Sequence, residues 1–298
     1  MIAFEFDFER PGTPQAAFER WNEAVKHKQT PLYYSGGTEI VTGMRKGTIK
    51  ADLLIDLKSI ETYTSLGEGK SPMTKGALWL GGGVTLGELA RIWPETLLSE
   101  VAGGIADHSV RNTLTLGGNV CGRLAYREIC LALLTLEADV VLFGAGGYVR
   151  KALAEVFHKR LDLEPGQILM GFELNVETLY VCRYFRRRRQ KQNQIDYPIC
   201  HTVVVRHGDR FRAAVSGVSP YVWYGDKTSD TLRVEADPLD NAMIIYQRLE
   251  ALAASDGRAS KEYKLALLKM DLIQAFTVLS GQAAVDHAIE SKGGGGDA

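Results

Sequence analysis

In the N-terminal part of the chain, apolar positions switch between a period of two and the helical period. Ala3 to Phe8 alternates as a short strand. Thr13 stands where an N-cap is expected and Pro14 at the first helical position. Ala17, Phe18, Trp21, Ala24 and Val25 follow at helical spacing. Pro31 to Tyr34 reads as a second strand that breaks off at Gly36-Gly37, and Ala51 to Leu57 as a third, apolar at its centre. The order is β-α-β.

The pattern then restarts. Ala77 to Leu80 reads as a strand and Gly81-Gly82-Gly83 as a turn. Thr85-Leu86-Gly87-Glu88 has capping-box spacing, for a helix reaching about Trp93, and Glu95 to Ala102 predicts another. Tyr126 to Ala138 carries the strongest helical pattern, with Ile129, Leu133 and Leu136 on one side. Asp139 to Phe143 reads as a buried strand. Beyond Leu179 the pattern becomes antiparallel. Ile199 to Val205 and Phe211 to Val218 form strands joined by the turn His207-Gly208-Asp209, and Leu232 to Glu235 reads as one more. Helices over Pro238 to Ala253 and Ser260 to Leu279 follow, then a glycine-rich end expected to be a flexible tail. The expected divisions are 1–58, 59–176, 177–290 and a tail over 291–298.

Charge narrows the partners. A net charge of -1 over 298 residues argues against a nucleic-acid or membrane surface. The first residues, MIAFEFDFERPG, lack the basic region and apolar core of a signal peptide, and no apolar run is long enough to span a bilayer. A cytoplasmic location is expected. Cys121, Cys130, Cys182 and Cys200 form no CxxC pair, which argues against a zinc or iron–sulfur site in this chain. They read as reduced, mostly buried thiols, so redox chemistry has to come from an organic cofactor or a partner chain.

Two glycine turns are the candidates for chemistry. Tyr34-Ser35-Gly36-Gly37-Thr38-Glu39 follows a strand, and Thr115-Leu116-Gly117-Gly118-Asn119 precedes a helix. Glycine lets backbone N–H groups approach a phosphate, and the hydroxyls of Ser35, Thr38 and Thr115 add donors. Two such turns converging on a diphosphate make physical sense, although either alone is as readily a plain tight turn. Neither a G-x-G-x-x-G opening a βαβ unit nor a Walker A sequence is present. His108 reads as a brace for its loop, and Arg111 and Asn112 as loop-fixing hydrogen bonders. Arg186 to Arg189 reads first as a solvated face and, as the alternative, as a contact for an anionic cofactor or acidic partner. His158, His201 and His207 have no carboxylate or cysteine at ligand spacing along the chain and read as structural.

Taken together, Ser35-Gly36-Gly37-Thr38 with the strand Asp52 to Leu57, and the run Ile105 to Asn119, resemble the two FAD turns of the flavin subunits of molybdenum hydroxylases. Leu133 to Val140, Gly166-Gln167-Ile168-Leu169 and Glu262-Tyr263-Lys264 are similar to the same family, which covers nearly the whole chain. The resemblance implies an α+β fold of the vanillyl-alcohol-oxidase (PCMH) type, with two subdomains around FAD and a C-terminal domain of antiparallel strands packed with helices. It implies that Tyr34, Ser35, Gly36, Gly37, Thr38 and Glu39 lie on one side of the FAD pyrophosphate, and Thr115, Gly117, Gly118 and Asn119 on the other. The family's Ser-Pro-x-x-Asp is replaced here by Cys121 to Glu128, with Glu128 aligned to the aspartate that lies near the flavin. The pattern Gly-Asn-Val-Cys-Gly-Arg-x-x-Tyr-Arg-Glu, with Ile195-Asp196-Tyr197-Pro198, resembles bacterial purine-degrading xanthine dehydrogenases.

The activity so implied is electron transfer within a complex. Electrons would pass from a molybdopterin-binding large subunit through a 2Fe-2S small subunit to FAD here, and on to NAD+ or another acceptor. The chain's lack of cluster cysteines and of a molybdopterin motif fits a separate subunit. One alternative is a stand-alone FAD-dependent oxidoreductase of the same fold, with its own acid or base in the C-terminal region. Another is an assembly protein without flavin.

Overall fold

The computed structural model describes residues 2–191 and 196–281. The expected tail over 291–298, and Ile195 of the xanthine-dehydrogenase-like pattern, lie outside the described residues.

The first sheet is parallel, in the order β1-β3-β2, from β1 (Asp7–Glu9), β2 (Pro31–Tyr34) and β3 (Leu53–Asp56). The helix Pro14–Lys26 connects β1 to β2, with Thr13 accepting the Ala16 N–H and Pro14 in its first turn. The expected strand over Ala3 to Phe8 shrinks to its last residues. Ile2, Phe4 and Phe6 pack instead against Met44, Ile49 and Leu54 as a side cluster. The helix Thr38–Arg45 leads from β2 toward β3.

The second sheet is antiparallel, in the order β4-β5-β8-β6-β7, from β4 (Leu66–Glu68), β5 (Leu78–Gly81), β6 (Asp139–Gly144), β7 (Gly147–Ala152) and β8 (Ile168–Leu174). Its central strands are buried on both faces, which explains why they read as unbroken apolar runs. Leu78, Leu80, Val140 and Leu142 point into the largest core, beneath the helices Leu86–Ile92, Leu97–Gly103 and Ile129–Thr135. Trp79, Val141, Phe143, Ile168 and Met170 point the other way and meet Ala17, Ala24, Leu53, Ile55 and Tyr63. That second face welds the two sheets together. Thr85 and Glu88 make the expected capping box.

The third sheet, β12-β11-β10-β9, is antiparallel and comprises β9 (Arg183–Gln190), β10 (Pro198–His207), β11 (Arg210–Ser216) and β12 (Trp223–Tyr224). Gly208 supplies the positive φ of the β10–β11 hairpin. Val203, Val205 and Ala214 face the helix Ile129–Thr135. Val204, Phe211 and Val215 face the helices Pro238–Glu250 and Lys261–Ser280, where Phe211 meets Phe276 edge to face. Every residue of Ile129–Thr135 is buried, because the helix lies between two sheets.

Three further expectations change. The helix expected over Tyr126 to Ala138 is shorter: Arg127 and Glu137 take positive φ values and end it on both sides. Leu232 to Glu235 forms no strand, only a single bridge from Arg233 to Arg210. The run Arg186 to Arg189 is no solvated face. It lies in β9, whose alternation aims Arg188 at Glu128 and Arg189 at Asp271 on the opposite side.

Candidate functional site

The two glycine turns meet. The Ser35 and Thr115 hydroxyls share a hydrogen bond of 2.9 Å across 80 residues of chain. A Cβ on Gly36 would collide with the Thr113 carbonyl oxygen and stand 3.2 Å from the Thr115 nitrogen. Gly36 is therefore required by the closeness of the second turn, and Gly37 by its own φ of 73°. Gly37 is the N-cap of Thr38–Arg45, and no side chain caps that helix. The amides of Gly36, Gly37 and Thr38 make no hydrogen bond outside the regular elements among the described residues. They form an open, donor-rich edge of the kind that holds phosphate oxygens.

The second turn is different in kind. Leu116 donates to the Val84 carbonyl at 2.8 Å, Gly117 to Gly82 at 2.7 Å, and Asn119 to Thr115 at 2.9 Å. Gly118 donates to the Thr115 hydroxyl at 3.2 Å. These amides are spent on the protein. Thr115 is itself buried, its hydroxyl taken by Ser35 and the Gly118 N–H, so what this turn offers is a rigid wall with the partly exposed Asn119 side chain on it, and Asn119 Oδ1 takes the Ile129 N–H at 3.4 Å. Gly117 is small because a Cβ would lie 3.0 Å from the Gly82 carbonyl oxygen and 3.3 Å from the Tyr63 hydroxyl.

Tyr63, absent from the sequence-based candidates, stands buried under both turns. Burial raises its phenol pKa, opposed by a hydrogen bond with Ser35. Glu39 bridges the turns from the other side: its carboxylate accepts the Arg123 N–H at 2.9 Å. Tyr34 lies at the base of the first turn, its hydroxyl against Gly37. His108 starts a short helix capped by Asp107, and Arg111 donates to the carbonyls of Ile105 and Ala106, so the loop is held by Asp107 and, as expected, by Arg111.

Glu128 is placed differently from the glycines. It is 3% exposed and both carboxylate oxygens are occupied. Arg188 Nε donates to Oε2 at 2.7 Å and Nη2 to Oε1 at 3.2 Å, and His201 Nδ1 lies 2.7 Å from Oε2. The histidine that read as lacking a carboxylate has one, brought from 73 residues away. Its Nε2 has no hydrogen-bond partner among the described residues. Nearby, Tyr126 stacks on Tyr197 with ring centroids 4.6 Å apart, and Arg258 donates to the Tyr126 hydroxyl at 3.0 Å. Of the cysteines, Cys130 and Cys200 are buried, Cys182 is half-buried and Cys121 is exposed.

The Glu128–His201 pair makes stability depend on acid. Burial pushes the His201 pKa down to about 4, against the upward pull of Glu128. Burial raises Glu128, but His201 and then Arg188 outweigh it and the carboxyl is lowered. Between pH 6.5 and about 4 the unfolded chain takes up a proton that folded His201 refuses. Stability therefore falls as the pH drops through this window, by up to ~1.4 kcal/mol per pH unit. Glu128 adds loss of the same sign below its ordinary value of 4.5. In denaturant titrations the His201→Asn variant should show a flatter slope between pH 6.5 and 4.5 than the unchanged chain. An equal slope would assign the acid sensitivity elsewhere.

The fold is shared with known proteins. The chain is similar in structure to the carbon monoxide dehydrogenase from Hydrogenophaga pseudoflava, at 19% identity and a TM-score of 0.80 over 95% of this chain and 100% of that one. It is similar to reconstituted CO dehydrogenase from Oligotropha carboxidovorans at 20% identity and 0.79, over 95% and 100%. Quinoline 2-oxidoreductase from Pseudomonas putida 86 gives 18% and 0.77, over 95% and 99%. At these identities the likeness is one of fold, and it extends to the third sheet. No curated protein sequence matches the chain. Residues 4–174, more than half of the chain and both turns with them, match the family described as the FAD binding domain in molybdopterin dehydrogenase, and the chain belongs to that family.

Proposed function

We propose that this chain is the FAD-binding electron-transfer subunit of a molybdenum hydroxylase, with the diphosphate held at Gly36-Gly37-Thr38 against the wall Thr115 to Asn119. The observation that carries the placement is the uncapped amide edge at Gly36 to Thr38, facing a turn so close that a Cβ on Gly36 cannot fit. A diphosphate is rich in acceptors and this edge is rich in donors, so the residues present fit the group. Bound FAD supplies a carrier that takes electrons from iron–sulfur clusters and releases them to an acceptor.

The first turn binds, through its amides and the exposed Thr38 hydroxyl. Asn119 orients from the opposite side, and the buried Thr115 hydroxyl, bonded to Ser35 and Gly118, fixes the wall rather than reaching the ligand. Gly117 and Gly118 bear on the diphosphate by keeping the wall close, since their own amides are occupied. Tyr34, Glu39 and Tyr63 hold the two turns at their spacing. Glu128 acts through Arg188 and His201, which join the chain just beyond the second turn to β9 and β10. The molybdopterin and 2Fe-2S groups belong to partner chains, in keeping with the cysteine spacing here. The run from Gly118 to Glu128, with Asp196-Tyr197-Pro198, favours a purine (xanthine) hydroxylase with NAD+ as acceptor and a cytoplasmic complex. No helix among the described residues is long and apolar enough to cross a membrane.

Purified and reconstituted, the chain should bind one FAD and pass electrons from NADH to a dye without oxidising purines. Purine oxidation should appear only when molybdopterin and 2Fe-2S chains are added. Purine turnover by the chain alone would favour the stand-alone enzyme. The Gly36→Ala variant should bind FAD roughly 10- to 100-fold more weakly, the equivalent of an overpacked contact. Undiminished affinity in that variant would place the diphosphate elsewhere.

A further inference from the structure

The pairing of Tyr34 with Asp56 brings the end of β3 under the first turn. Asp56 is buried and caps a short 3-10 turn, Leu57–Ser59, by accepting the Lys58 N–H at 3.1 Å. The Lys58 ammonium then folds back. It lies 2.6 Å from Asp56 Oδ1 and donates to the Ser35 carbonyl at 2.8 Å. It also sits 4.4 Å from the centre of the Tyr34 ring. A lysine has three donor protons and a flexible stem. Here the ammonium is held from three directions.

Neutralising Asp56 does not account for this arrangement. Arg10 Nε already lies 3.0 Å from Asp56 Oδ2, so two cations share one carboxylate and a net positive charge remains beneath the turn. Arg10 is more than half exposed, whereas the Lys58 side chain is 32% exposed and lies on the turn itself. The carbonyl it binds belongs to the Ser35–Gly36 peptide, whose N–H is the first of the open amides. A cation on the carbonyl end of a peptide strengthens the donor at its other end.

We propose that Lys58 is a positioning residue for the FAD diphosphate, fixing the first turn and polarising the Gly36 amide toward it, and that it favours the diphosphate form of the flavin by its charge. This rests on the diphosphate site assigned above. Lys58 does not touch the phosphate. It acts through Ser35.

The test uses the full chain stripped of flavin and titrated with FAD at low and high salt. Lys58→Met should bind FAD on the order of tenfold more weakly at low salt, with the difference shrinking at high salt as screening removes the charge effect. Lys58→Arg should recover most of the affinity. If Lys58→Met does not fold, Lys58→Gln carries the same expectation, because it can keep a donor to the Ser35 carbonyl but not the charge. Unchanged affinity in the charge-removing variants, or a loss that is independent of salt and not recovered by arginine, would overturn the proposal. Gly36→Ala in parallel separates the two levels. If that variant loses FAD while Lys58→Met keeps it, the site stands and Lys58 is idle. If both keep it, the site itself is misplaced and the proposal falls with it.

Discussion

The approach of Gly36 to the Thr113 carbonyl and the Thr115 amide is the constraint on which the rest of the site depends. No side chain can stand where Gly36 meets the second turn, and the Ser35–Thr115 hydroxyl contact pins the two turns together at that point. Everything beneath them serves that spacing. Tyr63 fills the space under Gly82, Gly83 and Gly117, and Trp79 donates its indole N–H to the Thr62 carbonyl next to it at 2.8 Å. The second sheet, apolar on both faces, locks the first sheet to the helices that carry Thr115. The site is thus rigid because two separate cores meet behind it.

The two turns divide the labour. The first keeps its amides open and has a lysine under its carbonyl. The second spends its amides on Gly82, Val84 and Thr115 and offers a fixed surface. A flexible pair of loops with the same residues would have to be ordered by the ligand, at a cost in affinity. Farther along, Glu128, ion-paired with Arg188 and hydrogen-bonded to His201, forms a buried joint between the start of the helix Ile129–Thr135 and the third sheet. Such joints contribute little net stability and much geometric definition, since losing one partner strands the others.

Much of this was legible in the sequence where the signal was local. Thr13 and Thr85 announced their helices as capping residues, and each caps in the structure. Glycine pairs after a strand and before a helix marked both turns. What could not be read was which donors remain free, because that depends on the partners of Gly82 and Val84 far up the chain. Tyr63 and Lys58 carried no motif, although the buried strand ending in Asp56 with a lysine two residues on was a faint sign. His201 found its carboxylate only through folding, and the arginine run divided its charges by strand alternation, which a count of charges does not reveal. The helix before Ala138 was overextended because apolar spacing persists where Arg127 and Glu137 leave helical φ.

The central claim is the placement of the diphosphate, and a crystal structure of the FAD-loaded chain tests it most directly. The account predicts both phosphates within hydrogen-bonding distance of the Gly36, Gly37 and Thr38 amides, with Asn119 opposite and the turns unmoved. A diphosphate bound on any other surface, or turns that must separate to admit it, would contradict the account.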